Sequence, residues 1–225
     1  MTANPWLITL HLITLFIWVG HLLLTPRVIA YAVSRPESER EPLYTWLRRS
    51  WNLLSPAGLV VLATGLLMLF GVGWPGDRGI LDYLAPRDNG APTYWYITFH
   101  VKLVSATLLM LWDFWMGAQI FRLSRGAAPR RAWALATLMA LSGALLAYVA
   151  AWLSLSALGL GMTSRYVGYG LVLLAVTGGI VAGRKLGRTD SRAKYMALHG
   201  VAAALVVLIV ILIIARPLAF GGDTV

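Results

Sequence analysis

Six ionisable side chains stand inside stretches that are otherwise apolar: His11, His21, His100, Lys102, Asp113 and His199. An ionisable group at bilayer depth costs about 2.5–3.5 kcal/mol on insertion scales, so it usually faces the interior of a helix bundle and serves a purpose there. Imidazole nitrogen is a common ligand to haem iron. His11 lies about five residues into the first apolar run and His100 about seven into the third, which puts both roughly 8–10 Å deep if the runs enter from one side. His21 lies further along the first run, and His199 about six residues into the last, so that both fall in the other half of the layer. Two histidine pairs at two depths is the pattern of axial ligands to haem b. The plainer alternative is a histidine that only hydrogen-bonds across two helices, for His199 to a hydroxyl such as Ser154 or Ser156. His11 and His21 are about 15 Å apart along a helix and some 80° apart around it, which favours the His11–His100 pair over His21–His199.

Lys102 follows His100 by two residues, so the two side chains diverge by about 160° on a helix. It either snorkels to the membrane surface or pairs with an anionic substituent of a haem or quinone. Asp113 returns to the face of Lys102, and pairing with nearby arginines is the expected role.

These groups need helices to hold them, and the composition supplies helices of one kind. The chain has 225 residues, 59% of them hydrophobic and 12% charged, with a mean hydropathy of +0.72. A water-soluble fold of this size needs more polar surface. The expected fold is all-α, a polytopic membrane bundle of six transmembrane helices, drawn at 6–33, 52–73, 93–121, 131–160, 164–183 and 193–216. The first run reads as a retained helix rather than a signal peptide, because Met1–Trp6 carries no basic residue and the apolar stretch is long. Pro36, Pro42, Trp74-Pro75-Gly76, Pro86, Pro92, Pro129 and Gly187 punctuate the gaps.

Charge orders the crossings. Most of the 19 Lys and Arg lie in alternate connections: Arg27, Arg35, Arg40, Arg48 and Arg49; then Arg122, Arg125, Arg130 and Arg131; then Arg184, Lys185, Arg188, Arg192 and Lys194. Positive residues stay cytoplasmic, which predicts both termini outside (N-out and C-out) in an energy-transducing membrane, the bacterial inner membrane. The formal net charge of +10 is thereby explained without nucleic acid. The lipid bilayer is the first partner. Cysteine is absent, so thiolate metal sites and thioether-linked haem are excluded, and any haem is held non-covalently.

The residues then fall into a known order. His11, Trp18, Gly20, Pro26-Arg27 and Tyr31 resemble the first helix of the HemJ-type protoporphyrinogen oxidases. Glu41, Leu43-Tyr44, Ser55-Pro56-Ala57 and Gly65 are similar to the second, and His100-Val101-Lys102-Leu103 to the His-x-Lys-Leu signature of the third. The membrane domain of the copper resistance protein D (CopD) family shares the broad pattern. Ala32 and Asp113 stand where the HemJ family places further histidines, and Pro26-Arg27 carries one extra residue of spacing from His11. The resemblance covers about residues 6–120. It implies a haem-binding three-helix core over 1–125, with 126–225 adding three further transmembrane helices to the same membrane domain. It also implies that His11 and His100 hold haem b, with Lys102 and Arg27 near its propionates or a substrate.

The expected function is therefore a b-type cytochrome that relays electrons through one haem b, or two if His21 and His199 hold a second. It would work with a quinone or cytochrome redox partner, in a larger complex or as a homo-oligomer. The alternatives are an oxidoreductase of the HemJ-like protoporphyrinogen oxidase type and CopD-like copper transport. Copper import favours clustered soft sulfur, whereas Met68, Met110, Met116, Met139, Met162 and Met196 are scattered.

Overall fold

The computed structural model describes residues 5–69, 94–127, 132–157 and 162–214. Among these the chain is helical with no strand: α1 (Pro5–Val33), α2 (Glu37–Leu54), α3 (Pro56–Leu69), α4 (Tyr94–Leu123), α5 (Ala132–Ala157), α6 (Met162–Gly187) and α7 (Arg192–Ile214). They include six stretches long and apolar enough to cross a membrane: 5–33, 37–68, 100–123, 132–151, 167–187 and 192–211. Many large apolar side chains point outward, among them Phe16, Leu53, Leu173, Leu174 and Val181, which fits a lipid environment and would be untenable in water. The connection between α3 and α4, with Arg78, Arg87 and its prolines, lies outside the described residues.

The second span differs from its expected bounds because α2 and α3 make it together. α2 is polar, opening with Glu37 and Glu39, whose carboxylates suit the positive end of a helix. Pro56 has no N–H to return to the helix, so hydrogen bonding is interrupted at the α2–α3 joint.

One apolar core joins the first and last parts of the chain. Trp18, Leu22 and Ile29 of α1, Leu47 of α2, Leu109, Trp112 and Met116 of α4, Leu135 of α5 and Leu198 and Leu205 of α7 are all buried in it. α7 packs against α1, α4 and α5, so residues on both sides of 125 share this core. α6 packs chiefly on α5.

The α5–α6 pairing is made by glycine. A Cβ placed on Gly179 would lie 2.7 Å from the Ala140 Cα; on Gly183, 2.4 Å from the Ala136 Cα; on Gly187, 2.6 Å from the Ala132 Cα. Successive glycines four residues apart therefore meet alanines four residues apart, in antiparallel order. In lipid there is no hydrophobic drive between helices, and close backbone approach through small residues is what holds them.

Candidate functional site

Asp113 is a buried carboxylate held by hydrogen bonds inside the bundle. It is 5% exposed and accepts three bonds: from Trp18 Nε1 at 3.0 Å, Trp51 Nε1 at 3.2 Å and the Ser55 hydroxyl at 2.7 Å. Its partners are thus two indoles and a hydroxyl, where arginines were expected. Both indoles lie over glycines, Trp18 on Gly58 and Trp51 on Gly117, and a Cβ on either glycine would meet the ring at 2.7 or 2.3 Å. Ser55 stands at the α2–α3 joint, so the centre ties α1, α2 and α4 together. Asp113→Ala would strand three donors. We expect a loss of about 2 kcal/mol, given ~1–3 kcal/mol for an unsatisfied buried group and smaller values in membrane bundles. Thermal unfolding in detergent and the tryptophan emission of the variant check this, and an unchanged midpoint would remove Asp113 from the stabilising set.

A cavity of about 370 Å³ lies among α1, α3, α4 and α7. Its walls are mostly apolar, including Leu15, Phe16, Val61, Leu62, Leu103 and Ile209, and its polar groups include His11 and Lys102. His11 Nδ1 is 2.9 Å from Thr64 Oγ1. That hydroxyl also reaches two backbone carbonyls, of Val60 at 2.7 Å and of Val61 at 3.1 Å. When it donates its hydrogen to either carbonyl it accepts from His11 Nδ1–H, and Nε2 then carries the lone pair. A Cβ on Gly65 would sit 3.4 Å from His11 Cε1, an ordinary contact distance, so α3 passes close beside the ring. A metal-binding imidazole is oriented in this way, with its other nitrogen donating to a fixed acceptor.

The structure brings His11 and Lys102 to this cavity; His100 is not among its described lining residues. The Trp18–Asp113 bond sets the register of α1 against α4. Seven residues back from Trp18 is His11, and seven back from Asp113 is Ala106, itself a lining residue. His100 then stands about 9 Å further along α4 than the level of His11. Having diverged by two positions, His100 and Lys102 cannot both face one cavity, and it is Lys102 that does. Met110 also lines it.

His21 is buried and its ring lies beside Thr25, at 3.4 Å from Nδ1. His199 uses both nitrogens. Nδ1 donates to the Leu23 carbonyl at 3.0 Å, and Nε2 accepts from Arg27 Nε at 3.0 Å. Arg27 is consequently a partner of His199 near the arginine-rich end of α1, well separated in sequence from the cavity at His11. The side chains of Ser154 and Ser156 lie outside the described residues.

One polar cluster escaped sequence reasoning. Asp190, between α6 and α7, takes a bidentate bond from Arg122 at 2.7 and 2.8 Å, with Lys194 Nζ at 3.1 Å and the Tyr195 hydroxyl at 2.9 Å. Burial pushes the Asp190 carboxyl up, but the hydrogen bonds from Arg122 and Tyr195 and the charges of Lys194 and Arg122 outweigh it and hold it below its ordinary value. The cluster locks the end of α4 to the start of α7. Arg122 and Lys194 looked like ordinary topogenic charges, and only the fold shows that they share one carboxylate.

Among the described residues no three His, Asp or Glu side chains gather to hold a metal ion. Haem iron takes its equatorial nitrogens from the porphyrin and asks only one or two ligands of the protein. Comparison with known proteins gives no family model, no curated protein and no solved structure that matches this chain.

Proposed function

We propose that the chain is an integral membrane protein that binds haem b and passes electrons through it, with His11 as an axial ligand. One observation carries this reading: His11 lines an apolar cavity with Nδ1 paired to Thr64, an arrangement that leaves Nε2 for a metal when the Thr64 hydroxyl donates to the backbone. When bound, haem b supplies a one-electron centre. Around it the chain's own groups divide the work. His11 would hold the iron, Thr64 would orient the imidazole, Lys102 would offer a cation to the propionates, and the apolar walls would exclude water. The order of His11, Arg27, His100 and Lys102, with its resemblance to HemJ-type and CopD-type proteins, supports the same cofactor. Because His199 has both nitrogens engaged, we assign one haem per chain, relayed to a quinone or cytochrome partner.

The arginine-rich connections belong on the cytoplasmic side of a bacterial inner membrane, with both termini outside. A reporter fused after Gly126 should read cytoplasmic and one fused after Val225 external; the same side for both would end the six-crossing model.

The function itself is tested by the absorption spectrum and pyridine haemochrome content of protein purified from haem-supplied cells. One haem b per chain is expected. Haem-free protein overturns the reading, and two haems per chain overturn the single site. Consumption of protoporphyrinogen by the purified protein would mark an oxidase instead of a relay.

A further inference from the structure

Three arginines converge on a groove between the end of α1 and the start of α7. Arg27, Arg35 and Arg192 line it with Tyr31, Ser34 and Met196, and its volume is about 520 Å³. Among the described residues none of the three has a carboxylate within ion-pair distance; the ion pairs found there belong to Arg122 and Lys194. Two of the three are already held in place. Arg27 Nε bonds His199, whose ring is in turn fixed by the Leu23 carbonyl, and the terminal nitrogens of Arg27 are left for another acceptor. The Arg35 guanidinium lies 4.4 Å over the Tyr31 ring and hydrogen-bonds the Tyr31 hydroxyl. Ordered side chains lose less entropy on binding. A guanidinium fork matches the oxygens of a phosphate, and three unneutralised forks around one groove call for an anion.

We propose that this groove binds the phosphate of an anionic phospholipid headgroup. The apolar surface beside it separates a lipid from free phosphate. On α1, Leu24 and Ile17 fall within about 80° of Arg27 around the helix; on α7, Met196 and Val207 fall within about 60° of Arg192. All four are exposed. Each helix therefore carries an apolar stripe leading from the arginines along the bundle, a path for acyl chains that a free anion has no use for. Basic pockets between transmembrane helices, at the face where anionic lipids are concentrated, recognise headgroups in this way.

The test uses full-length protein stripped of lipid in a neutral detergent. It is titrated with dioleoylphosphatidylglycerol or dioleoylphosphatidylcholine, and bound lipid is counted by native mass spectrometry. Phosphatidylglycerol should bind about tenfold more tightly than phosphatidylcholine, and Arg35→Gln and Arg192→Gln should each weaken it about fivefold. Arg192→Lys should keep most of the binding. Arg184→Gln and Arg188→Gln, which remove exposed charges from the neighbouring end of α6, should change nothing. Equal binding of the two lipids, or equal losses in the α6 variants, overturns the proposal. So does displacement of phosphatidylglycerol by an equal concentration of inorganic phosphate, which would make the groove a site for the free anion. Monodisperse elution and unchanged helical circular dichroism separate a binding loss from misfolding.

Discussion

His11→Ala is expected to abolish the b-type spectrum while leaving a helical, monodisperse protein. The imidazole bonds Thr64 and the Val61 backbone and otherwise borders a cavity, so its removal costs the fold little. For the cofactor it is the ligand itself. Thr64→Val is the sharper variant, because it keeps the shape of the side chain and removes the acceptor that holds Nδ1–H. Loss of such an orienting partner typically costs about 10–100-fold in metal affinity, so Thr64→Val should retain haem only weakly, with a shifted Soret band. His100→Ala should keep haem near the parent level, since His100 stands about 9 Å from the level of His11 along α4. Full haem content in His11→Ala, or its loss in His100→Ala alone, would reassign the ligand.

Gly183→Leu should be the most damaging substitution in the α5–α6 pair, which contributes no described lining residue to the proposed site. Any Cβ there meets the Ala136 backbone at 2.4 Å, and backbone cannot swing aside as a side chain can. The two helices must separate, and because α6 packs chiefly on α5, little else would hold it. We expect a loss of about 3 kcal/mol or more, toward and beyond the upper range for overpacking, seen as a lower melting temperature and aggregated material on size exclusion. Gly178→Leu supplies the control. It is five residues away, faces open space and gains helix propensity, so stability should change by no more than about 0.5 kcal/mol. Equal behaviour of the two variants would show that the small-residue seam does not hold the pair.

Apolar run length is a property of the chain alone, and it carried the architecture: among the described residues, helices only, and six runs fit to cross a membrane. The reason is physical. Lipid leaves backbone polar groups no partner but one another, so an apolar run of about 20 residues has few conformations open to it. The division of the second span at Ser55–Pro56 was readable in principle from the proline. So was the seam of Gly179, Gly183 and Gly187 against Ala132, Ala136 and Ala140, whose four-residue spacing is plain once looked for.

Residue chemistry also singled out His11 and Lys102, which the fold brings to one cavity. Depth along the sequence could not say which of His100 and Lys102 faces that cavity, because depth is counted along an axis and facing is an angle set by the neighbouring helices. The same limit hid the partners of Asp113 and His199. Trp18, Trp51 and Ser55 converge on Asp113 from 58 to 95 residues away, and His199 meets Leu23 and Arg27 across at least 172. Contacts at such separations depend on how α1, α2, α4 and α7 rotate and register against one another. That is decided by the packing of many small and large side chains at once, so tertiary structure alone could turn a set of costly residues into a carboxylate held by two indoles, an imidazole paired with a threonine on a cavity wall, and a groove of three arginines.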